Sequence, residues 1–227
     1  MRTLSLIVPV YNAPDLARRL LARLDELERT ASGQGFALLE TILVDDGSTP
    51  PLEPGNFPPR VAVLRNDPNA GKGFSVRRGA LEARGDWVLM SDVDLSAPLG
   101  EFARLAPEAD AWMVCGSRYG RPGMPLCRRL LSRLFHLLVR FVGAGDVHDT
   151  QCGFKLFRMD AMRPVFEAQR IARFAFDVEL ILRVRRAGGT VREVPVAWSG
   201  GRRSSLRVLR DAPRMLWDIL RMPFLVG

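Results

Sequence analysis

"GDWVLMSDVDLSAP", residues 85–98, joins a short apolar run to two acidic residues. The run 87–90 follows a glycine and an aspartate, which predicts a short strand buried on both faces of a sheet. Asp92 and Asp94 follow almost at once. Alternate side chains of an extended segment share a face, so both carboxylates can reach one ligand. Because two such carboxylates repel each other unless a cation lies between them, we predict a Mg²⁺ or Mn²⁺ site here.

On either side of this strand, strand-like and helix-like patterns alternate. Strands are predicted at 4–11, 38–48, 61–64, 87–90, 111–119 and 191–198, with a further extended segment within 149–157. Helices are predicted at 14–29, 73–84, 127–142 and 176–188. This alternation predicts an α/β fold, in which a Rossmann-like, mostly parallel sheet is flanked by helices.

Polar residues follow three of the predicted strands. Three pairs are involved: Tyr11 and Asn12 after the first strand, Asp45 and Asp46 after the second, and Asp92 and Asp94 after the fourth. In open α/β sheets, ligands bind beyond the carboxyl ends of the strands. A turn or a helix cap explains each set alone. Because all three sets are expected at the carboxyl edge of the same sheet, a single polar site is favoured.

Length and composition indicate an ordinary globular enzyme or binding protein. The chain has 227 residues, with 47% hydrophobic and 26% charged residues, and shows no linker, which predicts one domain over 1–227. Its three cysteines lack a CxxC spacing, which favours reduced thiols and a cytoplasmic setting. We find no secretory signal and no apolar run of about 18 residues that could span a membrane.

Charge is distributed unevenly around a net of +8. Residues 1–110 contain 12 Lys and Arg against 16 Asp and Glu, whereas residues 111–227 contain 21 against 9. The basic half is therefore expected to meet something anionic. Nucleic acid, a membrane surface and a phosphorylated substrate all satisfy that expectation.

Two segments of the basic half combine a basic stripe with a broad apolar face. The first is 127–142, with Arg129, Arg133, His136 and Arg140; the second is 206–226, with Arg207, Arg210, Arg214 and Arg221. Such helices typically lie in a membrane interface, and we predict peripheral contact with the anionic inner face of the membrane. Packing on the core or on a second subunit is the alternative for each.

Several motifs resemble family 2 glycosyltransferases with the GT-A fold. They are "SLIVPVYNAPDL", "ILVDDGS", "NAGKGFSVRRGAL", "VLMSDVDLSAP" and "CGSRY". "DTQCGFKLF" and "RFAFDVELI" are similar to the dolichyl-phosphate or polyprenyl-phosphate glucose and mannose synthases, with the branch using UDP-glucose nearest. The resemblance covers about residues 3–212. It implies a nucleotide-sugar half over 1–119 and an acceptor and membrane-facing half over 120–227.

The resemblance also implies roles for particular residues. Asp92 and Asp94 would bind the metal, and Asp94, Arg118 and Glu179 would be catalytic. The substrate-binding set is Pro9, Tyr11, Asn12, Val44, Asp45, Asp46, Lys72, Val93, Gln151, Lys155, Arg202 and Arg203. Two positions depart from the pattern of this family. Ala13 stands where its members often have Glu, and Ser205 stands where a Lys is expected.

The implied reaction moves a hexose, glucose above all, from a UDP- or GDP-linked donor to a lipid phosphate, with inversion. A phosphate monoester is largely ionised at neutral pH, so the acceptor needs positive charge rather than a strong base. Four residues of the basic half meet that need: Arg118, Lys155, Arg202 and Arg203. The simpler interpretation is a surface salt bridge for Arg118 and a solvated lysine for Lys155. Asp177 and Glu179 lie two apart on a helix, and we expect Glu179 to face the site while Asp177 serves the first turn.

Three alternatives remain open from the sequence. A family 2 glycosyltransferase with a hydroxyl acceptor would need Asp177 or Glu179 as a base. A nucleic-acid-binding module fits the charge, but only 8% of residues are aromatic and none interleave with basic residues in an RNA-binding motif, so no nucleic-acid partner is expected. A catalytically inactive nucleotide-sugar binder is the third.

Overall fold

The sheet has seven strands, and the structure, a computed structural model, describes residues 1–118, 138–199 and 208–226. The strands are β1 (Arg2–Val10), β2 (Phe36–Asp46), β3 (Val61–Asn66), β4 (Trp87–Ser91), β5 (Met113–Ser117), β6 (Phe154–Arg158) and β7 (Val191–Pro195). Their order across the sheet is β3-β2-β1-β4-β6-β5-β7. Every pair is parallel except those of β6, which runs antiparallel to β4 and β5. The predicted mostly parallel α/β sheet is confirmed.

Helices cover both faces of this sheet. They are α1 (Pro14–Leu21), α2 (Leu24–Gly33), α3 (Lys72–Glu82), α4 (Phe102–Leu105), α5 (Met159–Ala168), α6 (Phe176–Arg186) and α7 (Val208–Val226), and residues 138–141 are also helical. Short 3₁₀ turns occur at Pro54–Asn56, Leu99–Glu101 and Ala106–Glu108.

Two apolar clusters form the core, one on each face of the sheet. Along β1, Leu6 and Val8 pack in the cluster with α1, α2 and α4, whereas Ile7 packs in the cluster with α3, α5, α6 and α7. A strand covered on both faces must be apolar at consecutive positions, which accounts for the unbroken apolar runs in the sequence.

The strand register brings the predicted polar residues to one edge. β1 lies between β2 and β4, with Val10 opposite Asp45 and Ile7 opposite Met90. The carboxyl ends of the three parallel strands therefore open on the same side. The convergence expected from the sequence is confirmed at the level of the backbone.

Two helical expectations need correction. The helix predicted at 14–29 is two helices, because the chain turns at Ala22 and Arg23, whose N–H groups donate to Arg18 and Leu20. Leu20, Leu24 and Leu27 are nonetheless all buried, as their spacing predicts. Helix α5 is not predicted from the sequence, and its Pro164 is an unusual residue inside a helix.

The two basic helices are only partly described. Most of the segment predicted at 127–142 lies outside the described residues. The terminal helix is confirmed as α7, and its Ile219, Met222 and Val226 are buried in the core. Thus one face of α7 packs on the domain, as the alternative interpretation had it. None of the described helices is long and apolar enough to cross a membrane.

Candidate active site

Three ion pairs surround the carboxyl end of β4. Lys72 pairs with Asp92 at 2.6 Å, Arg118 with Asp149 at 2.5 Å, and Lys155 with Asp177 at 2.8 Å. Each pair joins two different segments of the chain. The charge of Asp92 is close enough to act on both Arg118 and Asp177, so the three pairs form one electrostatic unit.

Asp92 lies in a tight backbone cradle. Its N–H donates to the carbonyl of Gly153 at 3.0 Å, which links the end of β4 to the start of β6. A Cβ at Gly153 would lie only 1.9 Å from Asp92 Oδ2, so only glycine lets the carboxylate approach this closely. The side chain of Asp92 is about one-third exposed, and Oδ1 faces the ammonium of Lys72. Asp92 therefore has a fixed position and an accessible carboxylate.

Asp94 stabilises the turn that follows. Its Oδ1 accepts hydrogen bonds from Ser96 N at 3.0 Å and Ser96 Oγ at 2.7 Å. Leu95, between them, has a φ of 51°, an uncommon conformation for a residue with a side chain. Within the described chain, Asp94 Oδ2 has no hydrogen-bond partner. One oxygen thus holds the turn, and the other is available to a ligand.

The acidic pair fits a divalent cation that completes its ligand shell from a substrate. Asp92 and Asp94 are both partly exposed and offer hard oxygen ligands, and Asp92 already holds a cationic group in Lys72. Among the described residues, no group of three or more His, Cys, Asp and Glu could hold a metal by itself. Mg²⁺ is commonly bound by one or two carboxylates together with substrate phosphates, which is the arrangement this pair permits.

Lys155 and Asp177 form a buried pair behind this edge. Both side chains are almost fully buried, and Lys155 also donates to the carbonyl of Cys152. Burial opposes the charge of Lys155, but Asp177 outweighs it, so the pKa of Lys155 is raised. The alternative interpretation, a solvated lysine, is therefore wrong, and the predicted role of Lys155 in substrate binding stays a prediction. Lys155 instead supports the 152–153 backbone against which Asp92 rests.

Arg118 is held by a two-point contact. Its Nε and Nη2 donate to the two oxygens of Asp149, at 2.5 and 2.6 Å, and its backbone N donates to the same carboxylate. The guanidinium lies 5.8 Å from the ring of Trp198. Burial alone would raise the pKa of Asp149, but Arg118 outweighs it and the pKa is lowered. Arg118 thus has a partly buried salt bridge and keeps further N–H donors for an anion.

Asp45 and Asp46 are buried and hydrogen-bonded within the chain. Asp45 accepts from Ser48 N, Leu52 N and Arg65, which lower its pKa against the opposing effect of burial. Asp46 accepts from the N–H groups of Ala70 and Gly71 and from two asparagine side chains. These carboxylates shape the loops after β2 and β3. Their predicted contact with a nucleotide stays a prediction.

The other predicted nucleotide contacts lie along the same edge. Tyr11 is about half exposed, and Asn12, at a φ of 50°, bonds with Ser48 and Thr49. Pro9 and Val44 face each other in the β1–β2 register. Val93 is partly buried between the two acids. Tyr11 is the residue of this group that offers an open ring surface.

Glu179 lies in a different set of contacts from its neighbour Asp177. Its carboxylate accepts from Arg170 N at 2.8 Å, Ile171 N at 2.7 Å and Arg183 Nε at 2.8 Å. These contacts fix the loop before α6. The structure therefore brings Asp177, rather than Glu179, to the pairs around Asp92, the reverse of the expectation.

Gln151 is partly buried beside Cys152, and its Nε2 has no hydrogen-bond partner among the described residues. Arg202 and Arg203 lie outside the described residues.

Asp149 and Trp198 were not predicted from the sequence as residues of the site. The signal for Asp149 was present, because it opens the quoted "DTQCGFKLF" motif, but nothing in the sequence pairs it with Arg118.

Comparison with solved structures shows which fold the chain has. Glucosyl-3-phosphoglycerate synthase from Mycobacterium tuberculosis, in complex with Mn²⁺, UDP-glucose and phosphoglyceric acid, matches with a TM-score of 0.65 at 18% identity, covering 99% of this chain and 79% of that one. Mannosyl-3-phosphoglycerate synthase from Rubrobacter xylanophilus matches with a TM-score of 0.66 at 18% identity, covering 98% and 73%. The fold is thus that of the GT-A glycosyltransferases.

Sequence comparison gives the family. The model for "Glycosyl transferase family 2" matches residues 5–166, and the chain belongs to this family. A dolichyl-phosphate beta-glucosyltransferase of Trichomonas vaginalis is 35% identical, over 85% of this chain and 63% of that protein. The one from Homo sapiens is 31% identical, over 100% of this chain and 77% of that protein. The chain therefore spans about two thirds to three quarters of the length of these relatives.

Proposed function

We propose that this protein transfers glucose from UDP-glucose to a polyprenyl or dolichyl phosphate, with inversion at the anomeric carbon. The observation that carries the proposal is the partly exposed pair Asp92 and Asp94 at the end of β4, beside the cations Lys72 and Arg118. Family membership and the similarity to dolichyl-phosphate beta-glucosyltransferases support the donor and acceptor classes.

The donor diphosphate is proposed to lie at Asp92 and Asp94. Asp92 and Asp94 would hold a divalent ion, which would act as a Lewis acid for the charge that develops on the leaving nucleoside diphosphate. Lys72, at the first position of α3, would then be free to contact a phosphate oxygen. Gly71 and Gly73 let this turn pack closely on the loop 171–173, because a Cβ would lie 2.5 Å from the carbonyl oxygen of Ala172 at the first position and 2.6 Å from that of Ile171 at the second.

The acceptor phosphate is proposed to bind at Arg118. Since it is already ionised, it attacks without a general base, and Arg118 offsets the repulsion between the two anions. Asp149 keeps the guanidinium in one orientation. Asp177 and Glu179 are both buried in charge pairs, which does not favour the hydroxyl-acceptor alternative, for which one of them would have to take up a proton.

Peripheral attachment to the inner face of the membrane belongs to this proposal. The exposed hydrophobic side chains of α7 and the basic half of the chain support it. We further propose that 1–227 acts as one glycosyltransferase unit, with the nucleotide sugar bound by 1–119 and the acceptor by 120–227.

A transfer assay tests the function. The protein is incubated with labelled UDP-glucose or GDP-mannose, Mg²⁺ and a short polyprenyl phosphate, and label is counted in the organic phase. Label from UDP-glucose is expected. Asp94→Asn should lower the rate by about 10²–10³-fold, the loss typical when one charge-stabilising group is removed. Asp25→Asn, at an exposed site on α2, is the matched control. Label in a free sugar or glycolipid acceptor, but none in polyprenyl phosphate, would contradict the proposal.

A further inference from the structure

A groove lies between the loop 170–173 and α7. Its volume is about 430 Å³, within the range of about 300–1,000 Å³ of ligand sites. The residues that define it are Arg170, Arg173, Arg214, Trp217, Asp218 and Arg221. We propose that this groove binds the phosphate of an anionic phospholipid headgroup and so sets the orientation of the protein on the membrane. The inference rests on the membrane attachment proposed above and assigns it to particular residues.

The charge of the groove selects an anion. Four arginines and one aspartate line it, a net of +3. Asp218 is occupied by Arg221 at 2.6 Å. Arg170, Arg173 and Arg214 enter no salt bridge with the described residues, so their guanidinium groups keep their hydrogen-bond donors for a ligand. Guanidinium groups bind phosphate oxygens through paired, charge-assisted hydrogen bonds.

The flank of the groove selects a lipid over a soluble phosphate. Trp217 is 65% exposed, and next to it on α7 Leu216, Leu220 and Phe224 form an exposed stripe at a spacing of four residues. Ile219 and Met222, on the other face, anchor the helix in the core. Apolar side chains entering the acyl boundary, with Trp at headgroup depth and arginines beside the phosphates, are typical of an interfacial helix.

The loop that lines the groove is in direct contact with the turn that carries Lys72 in the candidate active site. The carbonyl of Ala172 accepts from Phe74 N at 3.0 Å, and a Cβ on Gly71 would lie 2.5 Å from the same oxygen. The loop that carries Arg170 and Arg173 is therefore packed on the turn that presents Lys72. Glu179 holds this loop from the other side through Arg170 N and Ile171 N. A headgroup in the groove would place the membrane surface at a fixed distance from the site.

Vesicle flotation tests the proposal. The full chain is mixed with vesicles of phosphatidylcholine alone, or of phosphatidylcholine and phosphatidylglycerol in equal parts. Binding is expected to the second kind. The double variant Arg173→Gln, Arg214→Gln should bind about 30-fold more weakly, since each arginine near an anionic surface contributes about fivefold. The control is Arg19→Gln, Arg29→Gln, which removes the same charge from exposed positions on α1 and α2.

The proposal would be overturned if both double variants bound the anionic vesicles equally weakly, because that would indicate diffuse electrostatic attraction. It would also be overturned if the wild type bound both kinds of vesicle equally well. Far-ultraviolet circular dichroism of both variants verifies that they fold. Sugar transfer in detergent separates this inference from the proposed function. The groove variant is expected to keep transfer to short polyprenyl phosphate while losing vesicle binding. If the wild type binds vesicles through the groove but transfers no sugar, the lipid-binding proposal is supported and the proposed function is contradicted.

Discussion

Lys72 Nζ lies 2.6 Å from Asp92 Oδ1, which joins the first residue of α3 to the carboxylate at the end of β4. The two side chains are only partly buried, so the pair remains open to solvent. Under the proposed function, a metal ion at Asp92 would displace the ammonium group. The ion pair would then be replaced by the metal and the diphosphate.

Lys72→Met is expected to strengthen binding of Mn²⁺ alone, because Asp92 loses its competing cation. A partly exposed ion pair contributes about 0–1 kcal/mol, so the gain is at most about fivefold. Transfer should nonetheless fall, since Lys72 is proposed to contact the diphosphate as well. Electron paramagnetic resonance measures free Mn²⁺, and the initial rate measures transfer. Weaker Mn²⁺ binding in Lys72→Met would show that the pair does not compete with the metal.

Gly153→Ala should impair the metal site without unfolding the protein. The new Cβ would lie 1.9 Å from Asp92 Oδ2, so the carboxylate must move. We expect weaker Mn²⁺ binding and slower transfer, with a far-ultraviolet circular dichroism spectrum like that of the wild type. Gly33→Ala is the matched control, since nothing lies within 4 Å of its Cβ. Normal Mn²⁺ affinity in Gly153→Ala would contradict the claim that Gly153 positions the Asp92 carboxylate for the metal.

Lys155→Met is expected to destabilise the fold strongly. It leaves Asp177 buried without its partner, and breaking a buried pair in this way costs about 3–5 kcal/mol in the free energy of unfolding. Urea unfolding of the wild type and of Lys155→Met measures this change in the free energy of unfolding. Adding Asp177→Leu should recover most of the loss. Arg18→Met, in the exposed pair with Asp15, should change the free energy by only about 0–1 kcal/mol. A similar small effect for Lys155→Met would refute a structural role for the pair.

Acid should weaken the fold partly through Asp149. Because Arg118 lowers the pKa of Asp149 below its unfolded value of about 3.9, the pair stabilises the protein above that pH. This stabilisation is lost as the pH falls through the lowered pKa. Asp149→Asn should therefore flatten the dependence of unfolding free energy on pH below about pH 4. Asp25→Asn should leave it unchanged, and an unaltered slope in Asp149→Asn would argue against the ion pair.

Much of the fold follows from local patterns in the sequence. Continuous apolar runs such as 4–11 predict buried strands, and residues that follow parallel strands must share an edge. The break between α1 and α2 was not predictable in this way, because Leu20, Leu24 and Leu27 keep helical spacing across it. Only the packing against the sheet determines where the chain turns.

The residues at the carboxyl edge of the sheet could be predicted from the sequence, but the ion pairs among them could not. Asp92 and Asp94 could be placed at this edge because they follow a predicted parallel strand, and the metal there stays a prediction. The partners of Lys155, Asp177 and Glu179 could not, because pairings between distant segments depend on which face of β6 and α6 turns inward. Lys155 lies on a strand that runs antiparallel between β4 and β5, and no local pattern indicates this insertion.

The proposed function requires a divalent ion bound by Asp92, by Asp94 and by the diphosphate of the donor. The direct measurement is Mn²⁺ binding by electron paramagnetic resonance, with UDP, with UMP and without nucleotide. We predict that UDP tightens Mn²⁺ binding, that UMP does so less, and that Asp94→Asn loses the effect of UDP. Mn²⁺ binding that is the same in wild type and Asp94→Asn, or that UDP leaves unchanged, would contradict the account.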